Sequence, residues 1–199
     1  ELISFRNENQ DIKEFWGKQF DLGLAWVQYP EGAGGLGINP KYQLLVTEKL
    51  REEGISQQNR VANILGIGMG APTIIEYGTP EQISKYLRPM FTTDEIWCQM
   101  FSEPGSGSDL ASLSTKAVDD GDGYIVNGQK VWTTLGHLAK WGLLVTRTDP
   151  DVPKHRGLTF FIVDMESDGV EVRPLRQITG EAEFNEVYFT DVKIPKENM

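Results

Sequence analysis

The sequence pattern changes near residue 93, and this change constrains the fold more than any other feature. Before that point, apolar residues recur with the spacing of helices, and the segments carry helix-end signals. After Asp94, short β-prone runs alternate with Gly, Pro and Asp. We therefore predict an all-α domain over residues 1–93, followed by an all-β domain over residues 94–199.

Two helices of the first domain are marked by the residues at their ends. In GINPKYQLLVTEKLREEG, Asn39 is placed to cap a helix, Pro40 falls at its first position and Gly54 ends it. In GTPEQISKYL, Thr79 and Pro80 repeat the arrangement at a second helix start. These end signals are the main support for the helical prediction.

The segment between these two helices, NRVANILGIGMGAPTIIEYG, predicts a mostly apolar, buried helix. Gly66 and Gly70 lie four residues apart and would expose the backbone on one face of it. Pro72 is expected to bend the helix, because its ring clashes with the carbonyl group of Gly68 and one hydrogen bond is lost.

The second half of the chain is typical of strands joined by tight turns. In YIVNGQKVWTT, Asn127 and Gly128 stand between two β-prone runs, which is the sequence signal of a two-residue hairpin. The later runs, each bounded by Gly, Pro or Asp, are WGLLVTRTD, GLTFFIVDM, VEVRPL and NEVYFTDVKIP. Short strands at such intervals predict a small antiparallel β-barrel or sandwich.

Composition limits the classes of partner. The 199-residue chain has a formal net charge of −10 and a pI near 4.7. These values argue against nucleic acid or an anionic membrane as the main partner, because both attract basic surfaces. Cys98 is the single cysteine, so an internal disulfide framework is excluded. Without a signal-peptide pattern or a long apolar run, we expect a cytosolic protein.

The stretch SEPGSGSDLASL places Pro, Gly and Ser between an apolar segment and a possible helix start. One interpretation is a tight turn, in which Gly105 and Gly107 permit positive φ. The other is a phosphate site made of free backbone N–H groups, the hydroxyls of Ser106 and Ser108, and the positive potential of the helix start. The stretch by itself is compatible with both.

A second glycine-rich stretch, GAGGLG at residues 32–37, matches the GxGxxG fingerprint of dinucleotide-binding folds. That fingerprint requires a preceding strand, a helix that starts within the glycines, and an acidic residue about 20 positions later on a second strand. Here the predicted helix starts at Asn39, after the last glycine, and the later segment is a helix end. We therefore favour a loop over a Rossmann site.

Three polar residues have interpretations that need no catalysis. We expect Glu103, beside Pro104, to accept hydrogen bonds from neighbouring backbone groups rather than to act as an acid or base. His137 and His155 lack a Cys or a second His at metal-ligand spacing, so we predict no metal site. The KHR triplet around His155 supplies adjacent donors for a phosphate, although a solvated loop explains the same residues.

Trp132 and Thr134 lie two positions apart in QKVWTTLG, which places them on the same face of a strand. A flat apolar ring beside a hydroxyl suits a planar heteroaromatic cofactor. The same pattern is also common in half-buried sheets. The turn at residues 102–108, SEPGSGS, is called the Gly-Ser turn below. Together with this turn, the pair offers one place for the flat end of a molecule and another for its phosphates.

Several segments are similar, in order and spacing, to motifs of the acyl-CoA dehydrogenases. They are SEPGSGSDLASL, YIVNGQKVWTT, GLTFFIVDM and VYFTDVKIPKEN. The resemblance extends across nearly all of the chain and implies a helical N-terminal domain, a central β-barrel and a C-terminal four-helix bundle. Because this chain opens without Met and stops just after a strand-like segment, we expect it to be part of a longer polypeptide that carries the bundle.

In that family, the equivalent turn and strand bind FAD and the thioester substrate. The residues at cofactor-binding positions are Gln99, Phe101, Ser102, Gly107, Ser108, Trp132, Thr133 and Thr134. The resemblance implies that Trp132 packs on the isoalloxazine ring and that Thr134 hydrogen-bonds near flavin N5. It places Gly107 and Ser108 near the cofactor phosphate. Ser108 and His155 would also contact the CoA portion of the substrate.

The resemblance implies FAD-dependent dehydrogenation of an acyl-CoA thioester between Cα and Cβ, with electron-transfer flavoprotein as the electron acceptor. The family's base is usually a Glu of the C-terminal domain, so no catalytic residue is assigned in this chain. The expected assembly is an oligomer of one or two kinds of subunit. Two alternatives stay open: a non-catalytic subunit of a mixed oligomer, and a related flavin-dependent oxidase or monooxygenase.

Two positions depart from the usual family pattern. The position of Gln99 often carries an aromatic residue in the family. In GIGMGAP, small residues and Pro72 occupy the helix that typically lines the acyl pocket, which predicts a bulky acyl group such as a sterol side-chain fragment. The stretch PLRQITGEAEFNEVYF looks most like bacterial members of this kind, so the expected compartment is a bacterial cytoplasm.

Overall fold

The computed structural model describes residues 1–8 and 11–199, so residues 9 and 10 of the predicted helical domain lie outside the described residues. The chain divides into a helical unit, Glu1–Ile96, and a β unit, Trp97–Met199. Every regular element described in the first unit is a helix, and the second is built on one sheet. The predicted fold class, all-α followed by all-β, is therefore confirmed.

The helical unit contains six α-helices and one π-helical turn in the part of the chain that the structure describes. They are α1 (Leu2–Glu8), α2 (Ile12–Asp21), α3 (Tyr42–Glu52), α4 (Asn59–Ala62), the π-turn (Gly66–Gly70), α5 (Ala71–Tyr77) and α6 (Pro80–Thr92). None of the described helices has the length and apolar content needed to cross a lipid bilayer.

The start of α6 follows the predicted arrangement. Pro80 is its first residue, and Thr79 forms a capping box with Gln82. The Gln82 backbone N–H donates to Thr79 Oγ1 at 3.2 Å, while the Thr79 N–H donates to Gln82 Oε1 at 2.9 Å. Two backbone donors that a helix start leaves unpaired are thus satisfied within one turn, and the predicted helix start is confirmed.

Helix α3 begins slightly later than predicted. Asn39 Oδ1 accepts a hydrogen bond from the Lys41 N–H at 3.0 Å, and the regular helix starts at Tyr42. Gly54, with φ of +66°, follows the last turn of the helix. The predicted end at Gly54 is therefore confirmed, whereas Pro40 lies in a turn before the helix and not at its first position.

The predicted buried helix between α3 and α6 is interrupted, and part of it is exposed. It consists of α4, the π-turn and α5, and Val61 and Ile64 are 75% and 55% exposed. Pro72 lacks an N–H group, and its ring crowds the carbonyl group four residues earlier. The wider π-turn immediately before it accommodates both effects, so Pro72 acts as an interruption and not as a simple bend.

The GAGGLG stretch forms a turn packed against the aromatic core of the helical unit. A Cβ added to Gly34 would lie 2.6 Å from the Phe20 ring, and one on Gly35 would lie 2.0 Å from the Tyr29 carbonyl oxygen. Phe20 in turn contacts Trp26, with ring centroids 6.0 Å apart. These glycines allow close packing between a loop and a helix, so the predicted loop is confirmed.

The β unit is built on a single seven-stranded sheet. Its strands are β1 (Trp97–Met100), β2 (Lys116–Asp119), β3 (Gly123–Thr134), β4 (Trp141–Arg147), β5 (Leu158–Asp164), β6 (Val170–Leu175) and β7 (Phe184–Pro195). The order is β1-β4-β2-β3-β7-β6, with β5 paired to β4. Most pairs are antiparallel, while β4 runs parallel to β1 and to β2.

The hairpin predicted at Asn127-Gly128 does not form. Strand β3 passes straight through both residues and pairs with β7, with a register shift between Val126 and Gly128. A Cβ on Gly128 would lie 2.7 Å from the Cα atom of Thr115. Glycine is required here because a backbone 13 residues earlier passes close by, a tertiary cause that the local pattern does not reveal.

Candidate functional site

The segment that follows β1 carries the first three predicted site residues. Gln99 lies within β1, and Phe101 and Ser102 follow its last residue; all three are partly exposed. The Phe101 ring meets Phe160 edge to face, with centroids 6.1 Å apart. The Ser102 carbonyl oxygen accepts a hydrogen bond from the Val131 N–H at 2.9 Å, which joins this segment to β3.

Glu103 is a structural acceptor, as predicted. Its Oε2 atom accepts from the Ser114 N–H at 2.7 Å and from the Ser114 hydroxyl at 2.8 Å. Its Oε1 atom accepts from the Thr115 N–H at 2.9 Å. Because these donors precede β2, the carboxylate closes the loop between Glu103 and Thr115 at its base.

A buried lysine completes this arrangement. Lys130 of β3 is 0% exposed, and its Nζ atom donates to Glu103 Oε1 at 2.9 Å and to the Phe101 carbonyl oxygen at 3.0 Å. Burial lowers the pKa of Lys130, and the neighbouring Glu103 carboxylate opposes that effect. The ammonium group thus joins β3 to the segment that leaves β1.

The pKa of the Glu103 carboxyl reflects the same contacts. Burial raises this pKa, but the hydrogen bonds that the carboxylate accepts outweigh burial and hold the pKa at about 2. The bonds come from Thr115, Ser114 and Lys130. Glu103 is therefore an ionised anchor at neutral pH, which is unsuited to proton transfer near pH 7.

The Gly-Ser turn is a tight turn that also leaves donors free. Glu103 and Ser106 exchange two backbone hydrogen bonds, of 2.7 and 3.0 Å. Gly107 and Ser108 are exposed, and their backbone N–H groups donate to no other described residue. The two interpretations of this stretch are thus compatible, because the turn itself presents two adjacent free N–H groups.

Two parts of the predicted phosphate site are corrected. The Ser106 hydroxyl is buried and donates to the Asp109 carbonyl oxygen at 2.7 Å, so it supports the turn from inside. The expected helix start is a single 3-10 turn, Leu110–Ser112. A turn of three residues has little aligned dipole, so the free N–H groups of Gly107 and Ser108 are what remains of the predicted phosphate site.

Trp132 lies at the second irregularity of β3. The register with β7 shifts between Lys130 and Thr133, and Trp132 has φ of +63°. Its indole is 62% exposed and meets Phe184 edge to face at 6.1 Å. A bulky residue with positive φ costs free energy, and such strain is concentrated at functional sites. The bulge presents a flat aromatic surface outward.

The two threonines after Trp132 differ in accessibility. Thr133 is 0% exposed, and its backbone carbonyl accepts from Asn185 Nδ2 of β7 at 2.9 Å. Its Oγ1 atom has no hydrogen-bond partner among the described residues. Thr134 is partly exposed. Thr133 therefore supports the strand from inside, while Thr134 leaves its side chain within reach of a ligand.

The loop that carries His155 lies against the Gly-Ser turn. Lys154 Nζ is 2.6 Å from Asp109 Oδ2 and donates to the Ser112 hydroxyl at 3.2 Å. Arg147 donates to the Lys154 carbonyl oxygen at 2.9 Å and to the Ala111 carbonyl oxygen, so it holds both segments. The Lys154 ammonium, through its hydrogen bond, lowers the pKa of Asp109.

The histidines themselves are exposed. His155 follows Lys154 on that loop, while His137 lies in the turn between β3 and β4. No group of three or more His, Cys, Asp or Glu side chains in residues 1–8 and 11–199 is arranged to hold a metal ion. The structure thus brings the His155 loop to the Gly-Ser turn and leaves His137 elsewhere.

The sequence analysis missed two residues that organise this region. Lys130 and Arg147 both lie in strands with mostly apolar neighbours, and both direct their charged groups at backbone carbonyls of the Glu103–Thr115 loop or its flanks. A charged residue inside an apolar strand is itself a signal, because burying a charge requires a partner. The identity of the partner depends on the fold.

Comparison with known proteins identifies the family of this two-part architecture. Residues 3–94 match the model of the N-terminal domain of acyl-CoA dehydrogenases, and residues 98–192 match that of the middle domain. Together these matches cover most of the chain. The chain belongs to the acyl-CoA dehydrogenase family, whose members are oxidoreductases and generally bind FAD.

Three relatives show how much of such proteins this chain represents. Acyl-CoA dehydrogenase FadE34 of Mycobacterium tuberculosis is 48% identical over 178 residues, which are 89% of this chain and 24% of that protein. The ChsE4-ChsE5 complex of Mycobacterium tuberculosis matches with a TM-score of 0.73 and 35% identity, over 94% of this chain and 47% of the other. The Tcur3481-Tcur3483 steroid acyl-CoA dehydrogenase matches with a TM-score of 0.71 and 30% identity, over 96% and 48%. The chain thus spans less than half of each.

Proposed function

We propose that this chain forms the helical N-terminal domain, residues 1–93, and the flavin-binding β domain, residues 94–199, of an FAD-dependent acyl-CoA dehydrogenase. The observation that carries the proposal is the pairing of an exposed, strained Trp132 with a turn that offers free N–H groups. The two lie on segments that hydrogen-bond directly to each other, through the Val131 N–H and the Ser102 carbonyl oxygen.

The exposed groups are those that FAD needs. The isoalloxazine ring is planar and apolar with a polar edge, which matches the Trp132 indole and the accessible Thr134 hydroxyl. Gln99, Phe101 and Ser102 would line the ring edge. The phosphates would accept hydrogen bonds from the Gly107 and Ser108 N–H groups. Thr133 would contribute by holding the strand between Trp132 and Thr134.

When bound, FAD would supply the redox chemistry by accepting a hydride from the substrate Cβ atom. The residues of this chain orient and hold the reactants. Trp132 would keep the ring plane in place, and Thr134 would hydrogen-bond to its edge. We assign no base to this chain, because the pKa of Glu103, the buried carboxylate beside the turn, is about 2 and both of its oxygens already accept structural hydrogen bonds. A Glu of a further domain would remove the α-proton, as in the family.

The CoA portion would bind along the outer side of the Gly-Ser turn. Ser108 is exposed there, and the Lys154–Asp109 ion pair holds the loop that presents His155. Arg156 extends the basic triplet and is also exposed. Exposed donors next to free N–H groups suit the phosphates of CoA.

The acyl group is proposed to be bulky, of the steroid type. The support is the small-residue π-turn of the helical unit, where Gly68 is exposed and a Cβ on it would meet no atom within 4 Å, together with the steroid enzyme among the relatives. A Gly68→Leu variant of the full-length protein should lose activity on a ring-bearing thioester and retain it on a short straight-chain thioester. Equal loss on both would contradict a role in acyl selection.

The first test is spectroscopic. The full-length polypeptide is purified, its visible spectrum is recorded, and a panel of straight and ring-bearing acyl-CoA thioesters is added without oxygen. We expect a flavin spectrum that bleaches with one ring-bearing thioester. A protein without flavin would refute the cofactor assignment, whereas bound flavin that no thioester reduces would refute the dehydrogenase activity.

Electron-transfer flavoprotein is the proposed electron acceptor. Once the flavin has been reduced by substrate, mixing with electron-transfer flavoprotein or with oxygen separates the dehydrogenase from an oxidase or monooxygenase. Rapid reoxidation by the flavoprotein and slow reaction with oxygen are expected. The reverse order of rates would favour an oxygen-using enzyme.

A second candidate function is a subunit of a mixed oligomer. The observation in its favour is that two of the similar structures pair two named proteins, ChsE4 with ChsE5 and Tcur3481 with Tcur3483. Co-purification of the full-length protein from its native source, followed by mass determination of the intact complex, tests this. Two different subunits in a fixed ratio support it, and a single subunit species refutes it.

A further inference from the structure

The Lys130–Glu103 ion pair is the most completely buried charged contact of the β unit among the described residues. The two side chains are 0% and 5% exposed, and their charged atoms lie 2.9 Å apart. Removing two charges from water costs several kcal/mol for each ion, which only good geometry and further hydrogen bonds offset. Stability alone does not require such a pair, because apolar residues of similar volume often serve as well.

The partners of the pair indicate what it does instead. Lys130 reaches the Phe101 carbonyl oxygen at 3.0 Å, and Glu103 holds the Ser114 and Thr115 N–H groups at 2.7 and 2.9 Å. Three segments thus meet at one point: the segment after β1, the segment before β2, and β3. The free N–H groups of Gly107 and Ser108 belong to the loop that the first two of these segments close.

The same strand carries the aromatic surface. Two residues after Lys130, Trp132 has positive φ at the bulge of β3. The intervening Val131 directs its N–H to the Ser102 carbonyl oxygen at 2.9 Å. The bulge is therefore attached to the Phe101–Glu103 segment by the Val131 hydrogen bond and by the Lys130 ammonium, which together hold a conformation that is unfavourable by itself.

We propose that Lys130 and Glu103 form a positioning pair that fixes the Trp132 bulge relative to the Gly107–Ser108 turn. This inference rests on the proposed function, because the Trp132 bulge and the Gly107–Ser108 turn are the two elements that we assign to the ring and the phosphates of FAD. Neither residue of the pair touches the ligand. The pair acts through Val131 and the closed loop, and it sets the separation of the two halves of the site.

The test compares variants of the full-length protein by amide hydrogen exchange and by FAD affinity. Lys130→Met removes the ammonium and retains much of the side-chain volume. The double variant Lys130→Met/Glu103→Gln leaves no unpaired charge inside, and the single carbonyl oxygen of the Gln still accepts from Ser114, while the bond from the Thr115 N–H is lost. The matched control is Lys140→Met, which breaks a partly exposed pair with Asp164 in the same sheet.

In the double variant, which strands no charge, we expect the Val131 amide to exchange at least about tenfold faster, while the amides of the β6–β7 pairing keep their protection. The FAD dissociation constant should rise by about tenfold or more, and the control should change neither quantity by more than about twofold. A purely stabilising role predicts a different result: all amides of the sheet would exchange faster together.

The outcomes separate this inference from the proposed function. If the double variant is folded and its Val131 amide exchanges at the wild-type rate, the positioning role is wrong, whether or not the affinity for FAD changes. Selective loss of Val131 protection with unchanged FAD affinity also overturns it, since the site would not depend on the pair. If the wild-type protein binds no FAD, the proposed function is wrong. The exchange of the Val131 amide then shows on its own whether the Lys130–Glu103 pair fixes the Trp132 bulge relative to the Gly107–Ser108 turn.

Discussion

Two ion pairs hold the loop that runs from Glu103 to Thr115, one at its base and one on its outer side. At the base, Lys130 and Glu103 are 0% and 5% exposed and 2.9 Å apart. On the outer side, Lys154 and Asp109 are 47% and 58% exposed and 2.6 Å apart. The shorter contact is the weaker one, because water and salt screen exposed charges while a buried pair has no alternative partner.

This difference teaches that surroundings, not distance, decide how much an ion pair matters. At the base of the loop, the loss of either partner would leave the other charge buried without a counter-charge. On the outer side, the loss of one partner leaves the other charge hydrated, which costs little free energy. A rigid base with an adaptable outer side suits a loop that keeps a fixed place on β3 and admits a ligand at Gly107 and Ser108.

The largest expected effect is at the base of the loop. Lys130→Met should lower the free energy of unfolding by about 3–5 kcal/mol, because the Glu103 carboxylate stays buried without its cation. Denaturant unfolding of the full-length protein measures this. Lys140→Met, in a partly exposed pair, should cost less than about 1 kcal/mol. A loss at Lys130 as small as that at Lys140 would remove the distinction between the two kinds of pair.

The pH dependence of the free energy of unfolding should reflect the ionisation of the Glu103 carboxyl. The pKa of Glu103 is about 2 in the folded protein against 4.5 ordinarily, so its ionised form stabilises the fold above pH 4.5. That contribution, about 3 kcal/mol in full, is lost as pH falls from 4.5 through about 2. Glu103→Gln should flatten the corresponding part of a stability curve. A variant curve as steep as that of the wild type would show that other carboxyls dominate.

A smaller effect is expected at the exposed end of the same strand. Trp132→Ala should change the free energy of unfolding by less than about 0.5 kcal/mol, because the ring is mostly in solvent. The same variant should weaken FAD binding by about tenfold or more, which a flavin fluorescence titration measures. Trp132→Phe, which keeps an aromatic surface, should recover part of the affinity. Unchanged affinity in the Ala variant would argue against ring packing at this position.

The smallest effect is expected on the outer side of the loop. Lys154→Ala should leave unfolding almost unchanged, because Asp109 is then simply hydrated. A weakened affinity for CoA, measured by calorimetry, should be greatest at low ionic strength and disappear at high salt. A strong loss of stability here would mean that the outer pair, too, is structural.

The helix ends of the helical unit were predictable because their causes are local. Thr79 and Gln82 form the capping box around Pro80, the first helical residue, within four residues of sequence. The interruption before Pro72 was only partly predictable. A missing N–H group predicts a disturbance, but the choice between a bend and a π-turn depends on what packs around the segment.

The error at Asn127-Gly128 has a tertiary cause. A two-residue hairpin and a close backbone approach both require glycine, so the local pattern cannot distinguish them. The approach of Thr115 to Gly128 depends on β2 pairing with β3. In the same way, the sequence leaves open whether the Ser106 hydroxyl faces a ligand, because its inward hydrogen bond to the Asp109 carbonyl oxygen forms only in the folded turn.

At the candidate site, the residue types were visible in the sequence and their contacts were not. Glu103 is predicted to bind backbone groups, and it does, but its cation lies 27 residues away in a strand whose sequence does not identify the partner. The exposed Trp132 was noted as an aromatic beside a hydroxyl. Its positive φ follows from the bulge, which only the pairing of β3 with β7 creates.

By itself, the sequence determined the order of a helical and a β half, the end of α3, the start of α6, and the tight turn that contains Pro104 and Gly105, since each depends on interactions within a few residues. Only the tertiary structure decided that Lys130 is buried against Glu103, that Gly107 and Ser108 keep their donors free, and that Trp132 points outward. These features arise where strands distant in the chain are brought together, and burial then forces every charge and N–H group either to find a partner or to remain at the surface.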